Sequence, residues 1–229
     1  MKNSINTPPR PRIVDVPVVA LNRLCDDGFE LILERGGITF KSGQLINIHG
    51  RSHLEDRSYT VCSGDQDEYL TVLFKIVPDG VLTPQLAALT PGDTVRISGP
   101  YGEFIIRDPG RPLIFIATGT GAAPCRSYLR SHKNLNMTLF HGVQYVKDLY
   151  YKNEFCVLDY YPCLSREETL DFYHGRVTDL VRKHDFPNNS HYYLCGANEM
   201  IYEMQEILEQ RGVDPGCIFT EAYYYRSDD

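Results

Sequence analysis

The sequence predicts two domains, an antiparallel β-barrel followed by an α/β domain built on a parallel sheet, with the boundary near residue 110. Before that point, short runs rich in β-branched and aromatic residues are separated by turn dipeptides, as is typical of small barrels. After it, apolar strands alternate with helical stretches, which favours a parallel sheet. The chain of 229 residues is long enough for two modest domains.

The first domain contains six predicted strands. Pro8, Pro9 and Pro11 prevent a regular start, so residues 1–12 are expected to form a flexible arm and order to begin near Ile13. The predicted strands are 14–21, 29–34, 44–49, 59–62, 69–76 and 94–98. Six short strands at this spacing predict an antiparallel barrel over residues 13–110.

The second domain, residues 111–229, alternates between strands and helices. The predicted strands are 113–117, 137–142, 156–162, 192–195 and 217–220. The predicted helices are 122–132, 147–155, 177–184 and 199–211. Helices are expected on both faces of the sheet, and ligands beyond the carboxyl ends of its strands.

Composition and charge exclude several classes of function. The seven cysteines are scattered and form no C-x-x-C pair, so neither a disulfide framework, a zinc site nor an iron–sulfur cluster is predicted, and no metal is expected. A net charge of −7 argues against nucleic-acid binding. The sequence contains no signal peptide and no apolar run of about 20 residues, so a cytoplasmic protein without a membrane span is expected.

The segment Arg57-Ser58-Tyr59-Thr60 enters the fourth predicted strand. A guanidinium can engage two oxygens of a pyrophosphate, a tyrosine ring can lie on an isoalloxazine, and a hydroxyl can reach a flavin nitrogen. The four residues therefore suit a flavin site. Taken alone, they more often belong to an ordinary amphipathic strand.

A second segment, residues 75–83, ends a strand in a glycine turn and begins a short helix at Thr83. Free N–H groups at the start of that helix, with Thr83 as its N-cap, would suit an anion such as a pyrophosphate. A simple helix cap would give the same pattern.

A glycine turn follows the first strand of the second domain. Thr118-Gly119-Thr120-Gly121 lies between an apolar strand and a helix that carries Pro124 in its first turn. Glycines let a backbone approach phosphates, and a helix N-terminus offers unpaired donors. The context favours nucleotide binding over a merely structural turn.

Three polar residues, Ser165, Arg166 and Arg176, follow the next strands of the sheet. Together they could surround a phosphate dianion, and the 2′-phosphate is what separates NADP from NAD. The alternative is a pair of solvent-exposed arginines beside an ordinary helix start.

Two strand ends carry further candidates. Cys195-Gly196 ends one strand, and a thiol at such a position is commonly a small buried apolar group. Glu221 and Tyr223 end the last strand, where a carboxylate can relay protons to a reduced flavin and an aromatic ring can cover the flavin. An acidic tail with chance aromatics is the alternative.

In order and spacing, these motifs resemble those of the ferredoxin–NADP reductase family, along nearly the whole chain. The matching segments are Phe40-Lys41-Ser42-Gly43-Gln44, Arg57-Ser58-Tyr59-Thr60, Gly80-x-Leu82-Thr83, Pro91-Gly92-Asp93, Gly99-Pro100-x-Gly102-x-Phe104, His141-Gly142-Val143, Leu149-Tyr150-Tyr151-Lys152-x-Glu154-Phe155, Ser165-Arg166-Glu167, Gly175-Arg176, Cys195-Gly196-x-x-x-Met200 and Glu221-x-Tyr223. Where many members carry serine, this chain has Thr60.

The resemblance implies an FAD-binding barrel and an NADP-binding α/β domain whose C-terminal tail covers the flavin. In such a site Arg57 contacts the FAD phosphates and Tyr59 lies against the flavin, whereas Ile76 and Val77 contact it through the backbone. The residues implied to bind FAD are Arg57, Ser58, Tyr59, Thr60, Lys75, Ile76, Val77, Gly80, Leu82, Thr83 and Tyr223. Those implied to bind NADP are Thr118, Gly119, Thr120, Gly121, Ser165, Arg166, Arg176, Cys195 and Gly196.

Four of these residues are implied to be catalytic. Thr60 approaches the flavin N5, Cys195 lies beside the nicotinamide, Glu221 relays protons and Tyr223 stacks on the flavin. A further tyrosine after Tyr223 could replace it, because the chain continues to residue 229.

The expected function is electron transfer between NADP(H) and a one-electron carrier, ferredoxin or flavodoxin, through FAD, by a monomer or weak homodimer. One alternative is a flavin, ferric-chelate or quinone reductase, or the reductase component of an oxygenase. Another is a non-catalytic electron-transfer or regulatory subunit. Loss of Glu221, Cys195 or the glycine turn would have favoured that last alternative, and all three are present.

Overall fold

The computed structural model describes residues 11–50 and 56–223, which form two six-stranded sheets. The first is antiparallel and the second parallel, so the predicted fold class is confirmed. Most of the expected flexible arm, residues 1–10, lies outside the described residues, and Arg12 already belongs to the first strand. No helix within the described ranges is long and apolar enough to cross a membrane.

The first sheet is a nearly closed barrel. Its strands are β1 (Arg12–Arg23), β2 (Gly28–Leu33), β3 (Leu45–His49), β4 (Arg57–Thr60), β5 (Leu70–Lys75) and β6 (Thr94–Tyr101). They are arranged in the order β4-β3-β6-β1-β2-β5, and a bridge between Val61 and Val72 joins the two edges. The barrel interior is filled by buried aliphatic and aromatic side chains, and the short helix α1 (Leu82–Ala87) packs on it through Leu82 and Leu86.

Closure of the barrel depends on β1, which is long enough to pair with two strands in succession. Residues 12–17 pair with β6 and residues 18–23 with β2, and the register shifts between Val18 and Ala20. Such an irregularity bends a strand and lets one sheet curve toward closure.

The second sheet is fully parallel. Its strands are β7 (Leu113–Thr118), β8 (Met137–Val143), β9 (Asp159–Leu164), β10 (Tyr173–His174), β11 (His191–Gly196) and β12 (Ile218–Ala222), in the order β10-β9-β8-β7-β11-β12. The helices are α2 (Ala123–Ser131), α3 (Lys152–Phe155), α4 (Val177–Val181) and α5 (Asn198–Gln210). The chain starts at the centre, builds one side and returns to build the other, and a crevice is expected where it reverses.

The predicted helix 147–155 is wrong. A short 3-10 turn (Val146–Asp148) and the one-turn helix α3 take its place, divided by Tyr151 with a φ of 57°. Tyr150 packs on Gly28 of the barrel, and the Tyr151 hydroxyl donates to Glu30 Oε1 at 2.9 Å. Contacts with the other sheet therefore outweigh the helical pattern, and the next strand starts at Asp159 rather than at Cys156.

Helix α2 connects the two sheets. It begins directly after the glycine turn of the second sheet and runs along the segment that follows β4 in the first. The buried hydroxyl of Ser127 donates to Ser63 O at 2.7 Å, and the Ser131 hydroxyl accepts from Asp65 N at 2.9 Å. The candidate site lies between two sheets held together in this way.

Candidate active site

The first part of the site is β4 of the barrel. Arg57 and Ser58 are exposed, and the Ser58 hydroxyl donates to Asn47 Oδ1 at 2.7 Å. Tyr59 is half-buried and meets Phe74 edge to face, with ring centroids 6.4 Å apart. A guanidinium and a hydroxyl oxygen therefore face outward beside a fixed aromatic ring, and these groups suit a flavin nucleotide.

A hydrogen-bonded chain connects this strand to the end of the second sheet. The Tyr223 hydroxyl donates to Thr60 Oγ1 at 2.7 Å, and the buried Thr60 hydroxyl donates to Glu221 Oε1 at 2.5 Å. Cys195 is fully buried and lies opposite Glu221 in the register of β11 and β12. All four residues predicted to be catalytic therefore meet in one cluster. The tail after Tyr223 lies outside the described residues.

The environment of the cluster favours uncharged groups. Burial raises the pKa of Glu221 to about 7, although the hydrogen bond from Thr60 lowers it. Burial also raises the pKa of the Cys195 thiol well above its ordinary value. Glu221 can therefore hold or release a proton near neutrality, whereas the Cys195 thiol is neutral.

The stability of the protein should depend on pH through Glu221. Its folded pKa of about 7 lies above the unfolded value of 4.5, so the ionised form is disfavoured only in the folded state. Stability is retained below the unfolded pKa and lost as pH rises toward the folded pKa. We expect E221Q to match the wild type near pH 5 and to exceed it by roughly 2 kcal/mol near pH 8 in urea unfolding.

A second variant checks the cause of that difference. T60V removes the hydrogen bond that lowers the folded pKa of Glu221, so the loss of stability should begin at the same pH and continue to a higher pH. Parallel pH curves for wild type and E221Q would contradict the expected penalty on the charged carboxylate.

The segment 75–83 differs from its prediction in one respect. Thr83 is not the N-cap of α1, because the N-cap position is Val81 and the Thr83 hydroxyl accepts from Val77 N at 2.9 Å. The Ile76 N–H donates to Asp27 O at 2.7 Å, and Gly80 N donates to Val77 O at 2.9 Å. The Thr83 hydroxyl thus stabilises the loop rather than the start of the helix. The N–H groups of Ile76 and Val77 already donate hydrogen bonds within the protein.

Lys75 points away from this loop, toward the second sheet. Its ammonium lies 3.2 Å from Asp27 Oδ2 and 3.3 Å from the buried Asp148 Oδ1. The side chain lines a cleft of about 430 Å³ together with Thr118 and Gly119. The structure thus places this lysine with the predicted NADP residues rather than with the predicted FAD residues.

That cleft lies at the carboxyl edge of the parallel sheet. Thr118, Val143, Ser165, Gly175 and Ala197 each end or follow a strand, and all five line it. Arg176 lines it as well, whereas Arg166 is exposed and does not. Small residues and a few cationic or hydroxyl groups leave room for a phosphate-bearing ligand, so the residues present fit a nucleotide.

The glycine turn packs closely against the end of β11. A Cβ on Gly121 would collide with the carbonyl of Cys195, and one on Gly196, whose φ is 131°, would collide with Thr118. The Thr118 hydroxyl accepts from Ala197 N at 2.9 Å. These contacts bring the turn against Cys195, and hence against the cluster of Thr60, Glu221 and Tyr223.

His141 supports this turn, a role that was not predicted although His141-Gly142-Val143 is one of the matching segments. Its fully buried imidazole donates from Nε2 to Gly119 O at 2.9 Å and accepts from the Tyr160 hydroxyl at Nδ1, 3.2 Å away. Burial lowers the pKa of His141 to about 4, so the ring is neutral. The signals for this residue in the sequence were that segment and its place near the end of a predicted strand. Asp148, Tyr150, Glu199 and Glu203 also line the cleft and were not predicted to bind NADP, although Tyr150 belongs to a matching segment.

Each half of the chain matches a known protein family. Residues 25–106 match the oxidoreductase FAD-binding domain family, and residues 115–206 match the oxidoreductase NAD-binding domain family. Ferredoxin–NADP reductase of Pseudomonas aeruginosa is 30% identical over 213 residues, which covers 77% of this chain and 81% of that protein.

Other relatives are larger proteins. A subunit of the Na(+)-translocating NADH-quinone reductase of Actinobacillus succinogenes is 30% identical over 167 residues, and the match covers 64% of this chain and 41% of that protein. The reductase component of propane 2-monooxygenase from Rhodococcus jostii is 29% identical over 214 residues, covering 83% of this chain and 57% of that protein. The chain thus spans less than two thirds of both.

Solved structures agree with the fold. Ferredoxin NADP+ reductase from Neisseria gonorrhoeae, with bound FAD and NADP, has a TM-score of 0.84 at 18% identity over 93% of this chain and 99% of that one. The Amycolatopsis cytochrome P450 reductase GcoB has a TM-score of 0.84 at 25% identity over 93% of this chain and 70% of that one. The chain belongs to the ferredoxin–NADP reductase family of FAD- and NAD(P)-binding oxidoreductases.

Proposed function

We propose that this protein oxidises NADPH and passes the electrons singly to ferredoxin or flavodoxin. The observation that carries the proposal is the contact between the two candidate sites. The glycine turn packs on Cys195, and Cys195 lies beside the Glu221 that is bonded to Thr60 of the barrel. A nucleotide held by the turn and a flavin held by β4 would meet there.

The residues divide between holding FAD and receiving NADPH. Arg57, Ser58 and Tyr59 would hold the flavin nucleotide at β4. When bound, FAD supplies hydride acceptance and one-electron release. Thr118 and Gly119 would lie against the phosphates of NADPH, because no side chain stands between the turn and the cleft at Gly119.

The cluster would manage access and protons. Tyr223 covers Thr60 in the structure, so its ring would give way as the nicotinamide enters. Glu221, with a pKa near neutrality, would hold a proton and pass it through the Thr60 hydroxyl. Cys195 would set the distance of closest approach by its small neutral side chain.

NADP is proposed over NAD because Ser165 and Arg176 both line the cleft and together offer a hydroxyl and a guanidinium to a 2′-phosphate. Similarity to ferredoxin–NADP reductase supports the same choice. Similarity to a component of an NADH-quinone reductase and to an oxygenase reductase favours a second candidate, in which the acceptor is a quinone or an oxygenase component.

The proposal is tested by the visible spectrum of the purified protein and by anaerobic addition of NADPH or NADH. Flavin absorbance that bleaches much faster with NADPH is the expected result. The reduced protein would then be mixed with ferredoxin, flavodoxin, a quinone and free flavin, and rapid oxidation by either carrier protein is expected. Colourless protein that cannot be loaded with FAD would overturn the proposal, and oxidation by the quinone alone would favour the second candidate.

A further inference from the structure

Arg176 and Glu203 face each other at the mouth of the nucleotide cleft. Arg176 precedes α4 and Glu203 lies on α5, and both line the cleft. Arg176 Nη1 lies 3.6 Å from Glu203 Oε2, and Arg182 Nη2 lies 3.1 Å from Glu203 Oε1. The side chain of Arg176 is 69% exposed and that of Glu203 only 28%, so the arginine reaches over to a more fixed carboxylate.

This pair occupies the part of the cleft where the proposed 2′-phosphate would bind. Among the described residues predicted for that phosphate, Ser165 and Arg176 line the cleft. Arg176 is thus the cation with which a dianion would pair, and it already has a carboxylate partner. Glu199, one turn earlier on α5, adds a second negative charge to the same wall.

We propose that Glu203 determines the nucleotide selectivity of this protein by competing with a 2′-phosphate for Arg176. The inference rests on the proposed function, because it assigns a role within the same site. A 2′-phosphate brings nearly two negative charges close to Glu203. The ribose of NADH has a 2′-hydroxyl in that position, which can donate a hydrogen bond to the carboxylate. Glu203 therefore opposes NADPH and tolerates NADH, and the preference for NADPH is smaller than Ser165 and Arg176 alone would give.

Arg182 should act in the opposite sense. Arg182 and Arg176 both pair with Glu203, so Arg182 offsets part of the negative charge that the carboxylate presents to the cleft. Without Arg182, Glu203 would pair with Arg176 alone, and the competition with the 2′-phosphate would become stronger.

The test is the binding of 2′,5′-ADP and of ADP to the FAD-loaded protein, measured by isothermal titration calorimetry. E203Q is expected to raise the ratio of the two affinities by about tenfold in favour of 2′,5′-ADP at low salt, and less at high salt. R182Q is expected to lower the ratio by about threefold. E206Q removes the same charge from the exposed face of α5 and should leave the ratio within about twofold of the wild type.

The outcomes separate this inference from the proposed function. If the wild type binds both probes and E203Q leaves the ratio unchanged, Glu203 does not set selectivity and the inference is overturned. If E206Q raises the ratio as much as E203Q, the effect is one of net charge, and the inference is overturned again. If the wild type binds neither probe, the proposed nucleotide site is itself wrong. The same order should appear in the ratio of kcat/KM for NADPH and NADH.

Discussion

Replacing Arg126 with methionine is expected to lower the free energy of unfolding by about 3–5 kcal/mol, because it leaves the buried carboxylate of Glu30 without its cation. Arg126 lies on α2 and is 9% exposed. Its guanidinium is 2.9 Å from Glu154 Oε1 and 3.4 Å from Glu30 Oε1, and it lies 4.0 Å above the Tyr151 ring. The change in free energy would be measured by urea unfolding followed by circular dichroism.

The matched control is Arg130→Met, one turn further along the same helix. Arg130 pairs with Asp67 and with Glu154, but its side chain is 39% exposed and solvent screens its charges. Its loss should therefore cost about 1 kcal/mol or less. The double variant R126M/E30Q should recover part of the loss seen with R126M, since the uncompensated carboxylate is removed as well. Equal losses for R126M and R130M would contradict the role assigned to burial.

The position of Arg126 gives this cluster a functional consequence. Glu30 belongs to the barrel, whereas Glu154 and Tyr151 belong to the segment that precedes β9 of the second sheet. Arg126 Nη1 also donates to the carbonyl of Cys62, two residues after Thr60. The cation thus fixes the glycine-turn helix relative to the strand that carries Thr60, and a weakened cluster should reduce flavin reduction more than nucleotide binding.

The sequence was sufficient for the features that depend on local rules. Runs rich in β-branched and aromatic residues, separated by turn dipeptides, predicted all six barrel strands. The order of apolar strand, glycines and helix located the turn at Gly119 and Gly121. Segments whose conformation depends on the other sheet were not predictable in this way. Tyr151 adopts a positive φ because its hydroxyl reaches Glu30, which lies 121 residues away in the chain.

The same limit applies to the site. Thr60, Cys195, Glu221 and Tyr223 follow from motifs at strand ends, and the structure brings them together. A threonine near the start of a short helix, by contrast, can accept a hydrogen bond from the helix or from the preceding loop. The local pattern therefore could not predict that the Thr83 hydroxyl accepts from Val77 N. His141 belongs to a matching segment and Glu203 to none, but their contacts, with Gly119 and Arg176, are made to residues distant in sequence and were not predictable from local pattern.

Gly121→Ala is expected to cost about 3 kcal/mol of stability and to slow flavin reduction by NADPH about a hundredfold. The added Cβ would collide with the backbone carbonyl of Cys195 rather than with a flexible side chain, so the turn or the end of β11 must move. Such a displacement separates the turn from Cys195 and misaligns whatever the turn holds with respect to Thr60. Stopped-flow bleaching of the FAD-loaded variant, at several NADPH concentrations, would separate the loss of rate from a loss of affinity.

Gly212→Ala is the matched control for that substitution. Gly212 lies just beyond α5 with a φ of 77°, and a Cβ there would meet nothing within 4 Å. Alanine at this position should cost about 1–2 kcal/mol through backbone strain alone and leave the rate of flavin reduction unchanged. Gly121 is buried and free of that backbone constraint, so its cost arises from the collision alone. If G121A reduced its flavin as fast as G212A, the contact between the turn and Cys195 would not be what aligns the nucleotide with the barrel.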